Sequence, residues 1–403
     1  MTQAKFELDR LALERAAATA AEVRRLRRHF HEHPEVAGEE VGTSRYLAEY
    51  CQGLGATIER LPGTGLIARF IHAKPGPTIA LRADMDALPV TEAPENLAGP
   101  RSCRSLNDGV SHACGHDAHM AIALGVTRCL LGLSGHWCGT FMLLFEEGEE
   151  TGIGIDSMLA ALADRPLGAI LGNHVYSELP TGAISATAGP VMAGQLRVGF
   201  RVIGRGGHGS RPDLAVNPVF AAAAVLQGIT SAWPNRLDIT RPVTLGLTQI
   251  HGGTALNVIP DEVTVGGTLR FFDEEAGWAA FAVLRQVAEQ TAAAHGCRVE
   301  FSNQSQPFTK PLENEPTLAR RAQEVAGRLY PGMSQPGSIW YASESFAVYS
   351  RLAPALYSFI GITNPEAGSG AGHHTSNFDI DEAALEPAVA YTTRLLLDLL
   401  QND

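Results

Sequence analysis

TIALRADMDALP (residues 78–89), SHACGHDAHMAIALGVTRCLL (residues 111–131) and TFMLLFEEGEE (residues 140–150) are the stretches whose reading decides the fold. TIAL and TFMLLF are short, bounded apolar runs, which predicts buried strands. Residues 118–131 between them predict a helix, and LGAIL at residues 167–171 repeats the strand signal. Strands alternating with helices imply an α/β domain with a mainly parallel mixed sheet flanked by helices.

Working outward, residues 9–33 are rich in Ala, Leu and Arg at helical spacing and end before Pro34. A second helix is predicted over residues 42–54. The character of the chain changes near Gly189. Residues 196–203 (LRVGFRVI) alternate like a half-exposed strand, and residues 242–250, 262–271 and 297–301 are further strand candidates. Helices are predicted over residues 218–230 and 274–295. Four strands and two helices in so short a span make a smaller α+β domain. Helix 317–329 and strand 355–360 then resume the earlier pattern. The expected organisation is a discontinuous catalytic domain, 1–189 and 303–403, with an inserted domain at 190–302. Two domains also suit 403 residues, more than one core usually serves.

The net charge is −12, from 31 basic and 43 acidic side chains, so phosphate backbones and anionic membranes are poor partners. The first residues lack the apolar run of a secretory signal, and no stretch approaches the roughly 20 apolar residues of a membrane span. Six scattered cysteines show no disulfide spacing, which predicts reduced thiols in a cytoplasm.

Five clusters carry chemistry. Cys114 and His116 flank Gly115 at a helix start, where a tight turn lets thiolate and imidazole face one point. Glu146, Glu147, Glu149 and Glu150 follow a buried strand, and like charges so close repel unless cations are near. His174 is expected just past an apolar strand, His373 and His374 follow a glycine-rich loop, and Asp84 and Asp86 follow TIAL. Singly, each has an ordinary reading as a core or surface residue. Five at strand ends and loops point to a ligand site, since open α/β sheets bind ligands there. Thiolate, imidazole and carboxylate together suit zinc, manganese, cobalt or nickel.

These strings resemble the aminoacylase and hippurate hydrolase branch of the dinuclear metallopeptidase family that also contains carboxypeptidase G. The likeness spans nearly the whole chain: RRHFHEHPEVAGEE, LRADMDALP, SHACGHDAHMA, the Glu149–Glu150 pair, GNHV, GGHGSRPD, NVIPDEV with Arg270, and HHTSNFDIDE. The resemblance implies two divalent metal ions held by Cys114, His116, Glu150, His174 and His374. His374 is preferred to His373 because Thr375 and Phe378 follow it at the family's H-S/T-x-x-F spacing. It also implies Glu149 as the general acid/base and Asp86 as the carboxylate that orients a ligand histidine. The inserted domain becomes a lid and homodimer contact, with His208 reaching the partner's active site to stabilise an oxyanion. Asn257 and Arg270 stand where the family grips the carboxylate of a small-molecule substrate. The implied reaction is hydrolysis of the amide bond of a small N-acyl or N-aroyl amino acid.

Two departures bear on the substrate. The family's F-Q-P-A-E-E reads Phe145-Glu146-Glu147-Gly148-Glu149-Glu150 here, and two extra negative charges are expected to raise the pKa of Glu149 or to disfavour anionic substrates. The family's E-D-F reads Glu344-Ser345-Phe346. These changes keep open another C–N bond on the same metal site: a peptide, a carbamoyl group or an aryl amine. A non-catalytic binding protein would have lost a ligand or Glu149, and neither is lost. Residues 204–209 fit G-x-G-x-x-G, but no helix follows and no acidic residue lies near 20 positions on, which argues against a dinucleotide site. Arg24, Arg25, Arg27 and Arg28 read as solvated surface charge. His29, His31 and His33 read as cations at a helix end.

Overall fold

The computed structural model describes residues 3–302 and 307–401. Contacts divide the chain into two compact units: Met1–Gly189, Glu313–Ser338 and Tyr349–Asp403 form one, Pro190–Leu312 and Ile339–Val348 the other. The return point expected at residue 303 lies outside the described residues. No pattern in the sequence marked 339–348 as grouping with the inserted unit.

The chain opens with helix α1 (Gln3–Glu32) and α2 (Val41–Gly53), then β1 (Thr57–Arg60), β2 (Leu66–Ile71) and β3 (Thr78–Asp84). Helix α3 (His116–Gly132), β4 (Thr140–Glu146), α4 (Ile155–Leu162), β5 (Ala169–Pro180) and β6 (Ile184–Ser185) follow. Along α1, Leu8, Ala12, Ala16, Val23, Leu26 and Phe30 form one buried stripe. Truncating Phe30 to Ala would cost about 3–5 kcal/mol. Strands β3 and β4 are buried along nearly their whole length, which is why they read as unbroken apolar runs.

The inserted unit contains β7 (Gly194–Ile203), α5 (Pro218–Arg236), β8 (Val243–His251), β9 (Glu262–Phe271), α6 (Glu274–Ala294), β10 (Arg298–Phe301) and the short β11 (Pro307–Thr309). Its sheet runs β8-β9-β7-β10, all antiparallel, with β11 also on β7. Alternate residues of β7 (Leu196, Val198, Phe200 and Val202) pack with Ala221, Val225, Leu284 and Ala288 of the two helices.

The chain then returns through α7 (Pro316–Leu329), β12 (Ala355–Thr363) and α8 (Leu385–Leu399). The main sheet has the order β1-β2-β4-β3-β5-β12-β6. Its central pairs β4/β3, β3/β5 and β5/β12 are parallel, and the flanking pairs are antiparallel. Strand β5 outruns the five residues expected of it because its ladder with β12 continues, with His174 opposite Phe359. His174 therefore lies inside a strand, not beyond one. Among the described residues, no helix is long and apolar enough to cross a membrane.

Candidate metal centre

The carboxyl ends of β3 and β4, the middle of β5 and the start of α3 bring the expected side chains together. Gly115 caps α3 at φ 91°, and a Cβ there would fall 2.3 Å from Val175 Cγ2, so the turn between Cys114 and His116 requires glycine. His374 is the one non-glycine residue with positive φ (64°) among the described residues. Its N–H donates to Ala113 O at 2.8 Å, and that strained backbone places Nε2 3.3 Å from Cys114 Sγ and 3.2 Å from Glu150 Oε1. The donor atoms form overlapping groups: Cys114, His116 and His174; Cys114, Glu150 and His374; His116, Glu149 and Glu150. Within each group they lie within 4.8 Å of one another.

Hydrogen bonds fix which imidazole nitrogens face the cluster. His116 Nδ1 donates to Asp86 O at 2.8 Å and also meets Asp86 Oδ1 at 3.2 Å. Nε2 is thereby left as the lone-pair nitrogen in the neutral ring. His174 Nδ1 donates to Val175 O at 2.7 Å, and its Nε2 lies 3.7 Å from Cys114 Sγ. His116 Nε2 is buried and lacks a hydrogen-bond partner among the described residues, and Glu150 Oε1 lies 3.9 Å from it and 3.2 Å from His374 Nε2. Burial opposes a charged His116, but Asp84 and Asp86 outweigh it and favour positive charge at this position. Burial, reinforced by Glu150, pushes the Cys114 thiol well up, so this sulfur ionises only with a cation beside it. A soft thiolate, facing lone pairs and a buried carboxylate oxygen fit divalent transition-metal ions.

Behind the donors stands a second tier, in which Asp86 was expected and His119 was not. Val175 N donates to His119 Nε2 at 3.0 Å, so His119 Nδ1 carries the proton it shares with Asp84 Oδ1 at 2.6 Å. Both ring nitrogens are thus occupied by protein partners, although His119 also forms, with Asp84 and His116, a further group of donor atoms within 4.8 Å of one another. Its signal was present: three positions after His116 on a helix places it on the same face. Asp86 accepts from Glu149 N and Glu150 N, each at 3.1 Å. His373 is half-buried, and desolvation lowers its pKa to about 3; its Nε2 accepts from Ser177 N at 3.3 Å.

The two extra glutamates do not face the cluster as unpaired charges. Glu146 is fully buried and meets Arg82 Nε at 2.9 Å and the Tyr349 hydroxyl at 2.7 Å. Glu147 accepts from the backbone of Thr64 and Gly65. The basic cluster on α1 is also not all surface. Arg27 and His31 are buried: Arg27 Nε and His31 Nδ1 meet Asp117 Oδ2 at 2.9 and 2.8 Å, and His31 Nε2 meets Glu92 Oε1 at 2.8 Å. They lie on the face of α1 turned toward α3, where Asp117 would otherwise be a buried bare charge. Burial pushes Asp117 up, but Arg27 and His31 overcome it and hold the carboxyl well below its ordinary range.

In the inserted unit, the short strands Gly207–His208 and Val258–Ile259 pair, which sets His208 opposite Val258, beside Asn257. Ser210 N donates to His208 Nδ1 at 3.1 Å, so the neutral ring carries its proton on the exposed Nε2. Arg270, on β9, is half-buried; burial lowers its pKa, and Nη1 has no hydrogen-bond partner among the described residues. Ser345 Oγ donates to Glu344 at 3.3 Å.

Residues 80–398 match the sequence pattern of Peptidase family M20/M25/M40. This chain belongs to that family. The M20 chain is a metal-dependent amidohydrolase. It is similar to N-acetylcysteine deacetylase of Bacillus subtilis, 34% identical over 383 residues that cover 94% of this chain and 96% of the relative. It is also similar to thermostable carboxypeptidase 2 of Saccharolobus solfataricus, 32% identical over 367 residues, 90% of this chain and 91% of that one. Among solved structures, a dinuclear metal binding peptidase of the M20 family from Bacillus subtilis superposes with TM-score 0.81 at 30% identity, covering 95% of this chain and 99% of the other.

Proposed function

We propose that this M20 chain hydrolyses the amide C–N bond of small N-acyl amino acids at a centre of two divalent ions held by Cys114, His116, Glu150, His174 and His374. The observation that carries this reading is the facing of lone-pair His116 Nε2, buried Glu150 Oε1 with His374 Nε2 beside it, and Cys114 Sγ, with Glu149 on the same turn. Manganese, zinc, cobalt and nickel all suit the donor set. Two such ions, when bound, acidify water and polarise the scissile carbonyl.

Glu149 takes the proton of the attacking water and returns it to the leaving nitrogen, which balances the cleavage with one base acting twice. Asp86 holds His116 in its ligating tautomer and fixes the Glu149–Glu150 backbone. His208 Nε2–H, in the proton arrangement that Ser210 imposes, donates to the oxyanion formed in the partner's active site of a homodimer joined through the inserted unit. Asn257 and Arg270 grip the substrate carboxylate, and the partner-free Nη1 of Arg270 supports that assignment. Six unpaired cysteines support a reducing, cytoplasmic setting.

A second reading, cleavage of a peptide bond at the same centre, is favoured by the similarity to a carboxypeptidase. A screen separates the two. Protein loaded with manganese, zinc or cobalt is offered N-acetyl, N-benzoyl and indole-acyl amino acids, dipeptides, N-carbamoyl amino acids and aminobenzoates, with products identified by mass. Freed carboxylic acid and amino acid from an acyl conjugate support the main reading. Cleavage of dipeptides alone favours the second, and ammonia release alone overturns both.

A further inference from the structure

We propose that Glu147 is a positioning residue that sets the turn carrying Glu149 and Glu150 through a closed ring of hydrogen bonds. The inference rests on the reading of Glu149 as acid/base and Glu150 as ligand. Glu147 Oε2 accepts from Thr64 N and from Gly65 N (2.8 Å). The Thr64 hydroxyl lies 3.3 Å from that oxygen and donates to Glu40 Oε2 at 2.7 Å. The other oxygen of Glu40 accepts from Gly148 N at 2.8 Å, which brings the ring back to the residue after Glu147. The next two N–H groups, of Glu149 and Glu150, go to Asp86. Four consecutive residues are thus anchored, each through a carboxylate.

The surroundings are shaped for this side chain. A Cβ on Gly63 would fall 2.3 Å from Glu147 Oε2, and one on Gly154 would fall 2.5 Å from Glu147 Cγ. Gly148 has φ 57°, and a Cβ there would meet Ile153 Cγ1 at 2.4 Å. Where the family resemblance places Pro-Ala, this chain has Glu-Gly. Proline would fix the backbone angle by its ring, whereas here hydrogen bonds to the 64–65 loop and Glu40 hold the turn. All three contacts of Glu147 fall on one oxygen, so a neutral amide oxygen can make them too. The role is geometric, which separates it from the electrostatic effect expected of an extra charge.

The test compares Glu147→Ala, Glu147→Gln and Thr64→Val in the full-length, metal-loaded protein, reading kcat, KM and amide exchange of residues 147–150. A misplacement near 1 Å costs on the order of 100-fold in rate. Glu147→Ala should therefore lose about 10- to 100-fold in kcat with KM little changed, and its 147–150 amides should exchange faster. Glu147→Gln should recover most of that loss, and Thr64→Val, which opens the ring at Glu40, should fall between. Should the Ala variant fail to fold, the Thr64→Val and Gln comparison carries the test. Full kcat with loosened amides in Thr64→Val, or Gln as impaired as Ala, would overturn the proposal. Turnover by Glu149→Gln would instead sink the underlying reading.

Discussion

Asp86 meets His116 through two acceptors at once: its carbonyl oxygen lies 2.8 Å and its carboxylate oxygen 3.2 Å from His116 Nδ1. The same carboxylate receives the backbone N–H groups of Glu149 and Glu150. One buried residue therefore fixes the His116 tautomer, through its carbonyl and carboxylate together, and its carboxylate fixes the turn after β4. Replacing Asp86 with Ala should weaken metal affinity about 10- to 100-fold, the range seen for partners behind ligands. Competition with a chelating dye measures it, and unchanged affinity would deny Asp86 this role.

Gly115 is the backbone counterpart. Gly115→Ala places a methyl in a left-handed turn and against Val175. The backbone term alone is about 1–3 kcal/mol, so the melting temperature should fall and bound metal should drop in parallel. A variant with full metal content and unchanged melting temperature would contradict the geometry.

His31 makes stability depend on pH. Burial and Arg27 oppose its charge, but hydrogen bonds to Asp117 and Glu92 win and raise its pKa. A raised histidine pKa contributes stability that is full below the unfolded value, near 6.5, and is lost as pH rises through the folded value. Asp117, lowered in the fold, contributes above about 3.8 and loses that only at strongly acid pH. His31→Asn should cost about 3–5 kcal/mol, the scale of breaking a buried pair. Its deficit should be largest near pH 5–6 and shrink above the folded pKa. Denaturant melts across pH check this, and a deficit that grows with pH would contradict it.

His208 across subunits predicts complementation. His208→Ala and Glu149→Gln, each inactive, should regain partial activity when mixed, because a hybrid dimer pairs one intact His208 with one intact Glu149. No recovery despite demonstrated subunit exchange would count against action in trans.

Much of this was legible in the sequence because it is written locally. Apolar runs gave β3 and β4, and Glu262–Phe271 appeared with the bounds expected of it. Cys114 and His116 announce themselves by residue type at a helix start, and Glu150 just past a strand end. What was not legible depends on partners far along the chain. Arg27 reads as a surface charge until α3 brings Asp117 against it, and Glu146 reads as a stray anion until Arg82 and Tyr349 close on it. Strand β1 has only four residues, and helix α8 has no side-chain cap of its own because it continues from a short turn capped by Asp381, so neither stood out. The length of β5 was set by its ladder with β12, a pairing between residues nearly two hundred positions apart.

The most direct measurement is turnover of the metal-loaded Glu149→Gln variant on the N-acyl amino acid that the intact protein cleaves best, with bound metal counted in the same sample. The account predicts a fall in kcat on the order of 100- to 10,000-fold with two ions still bound. Turnover near that of the intact protein at full metal occupancy would contradict it.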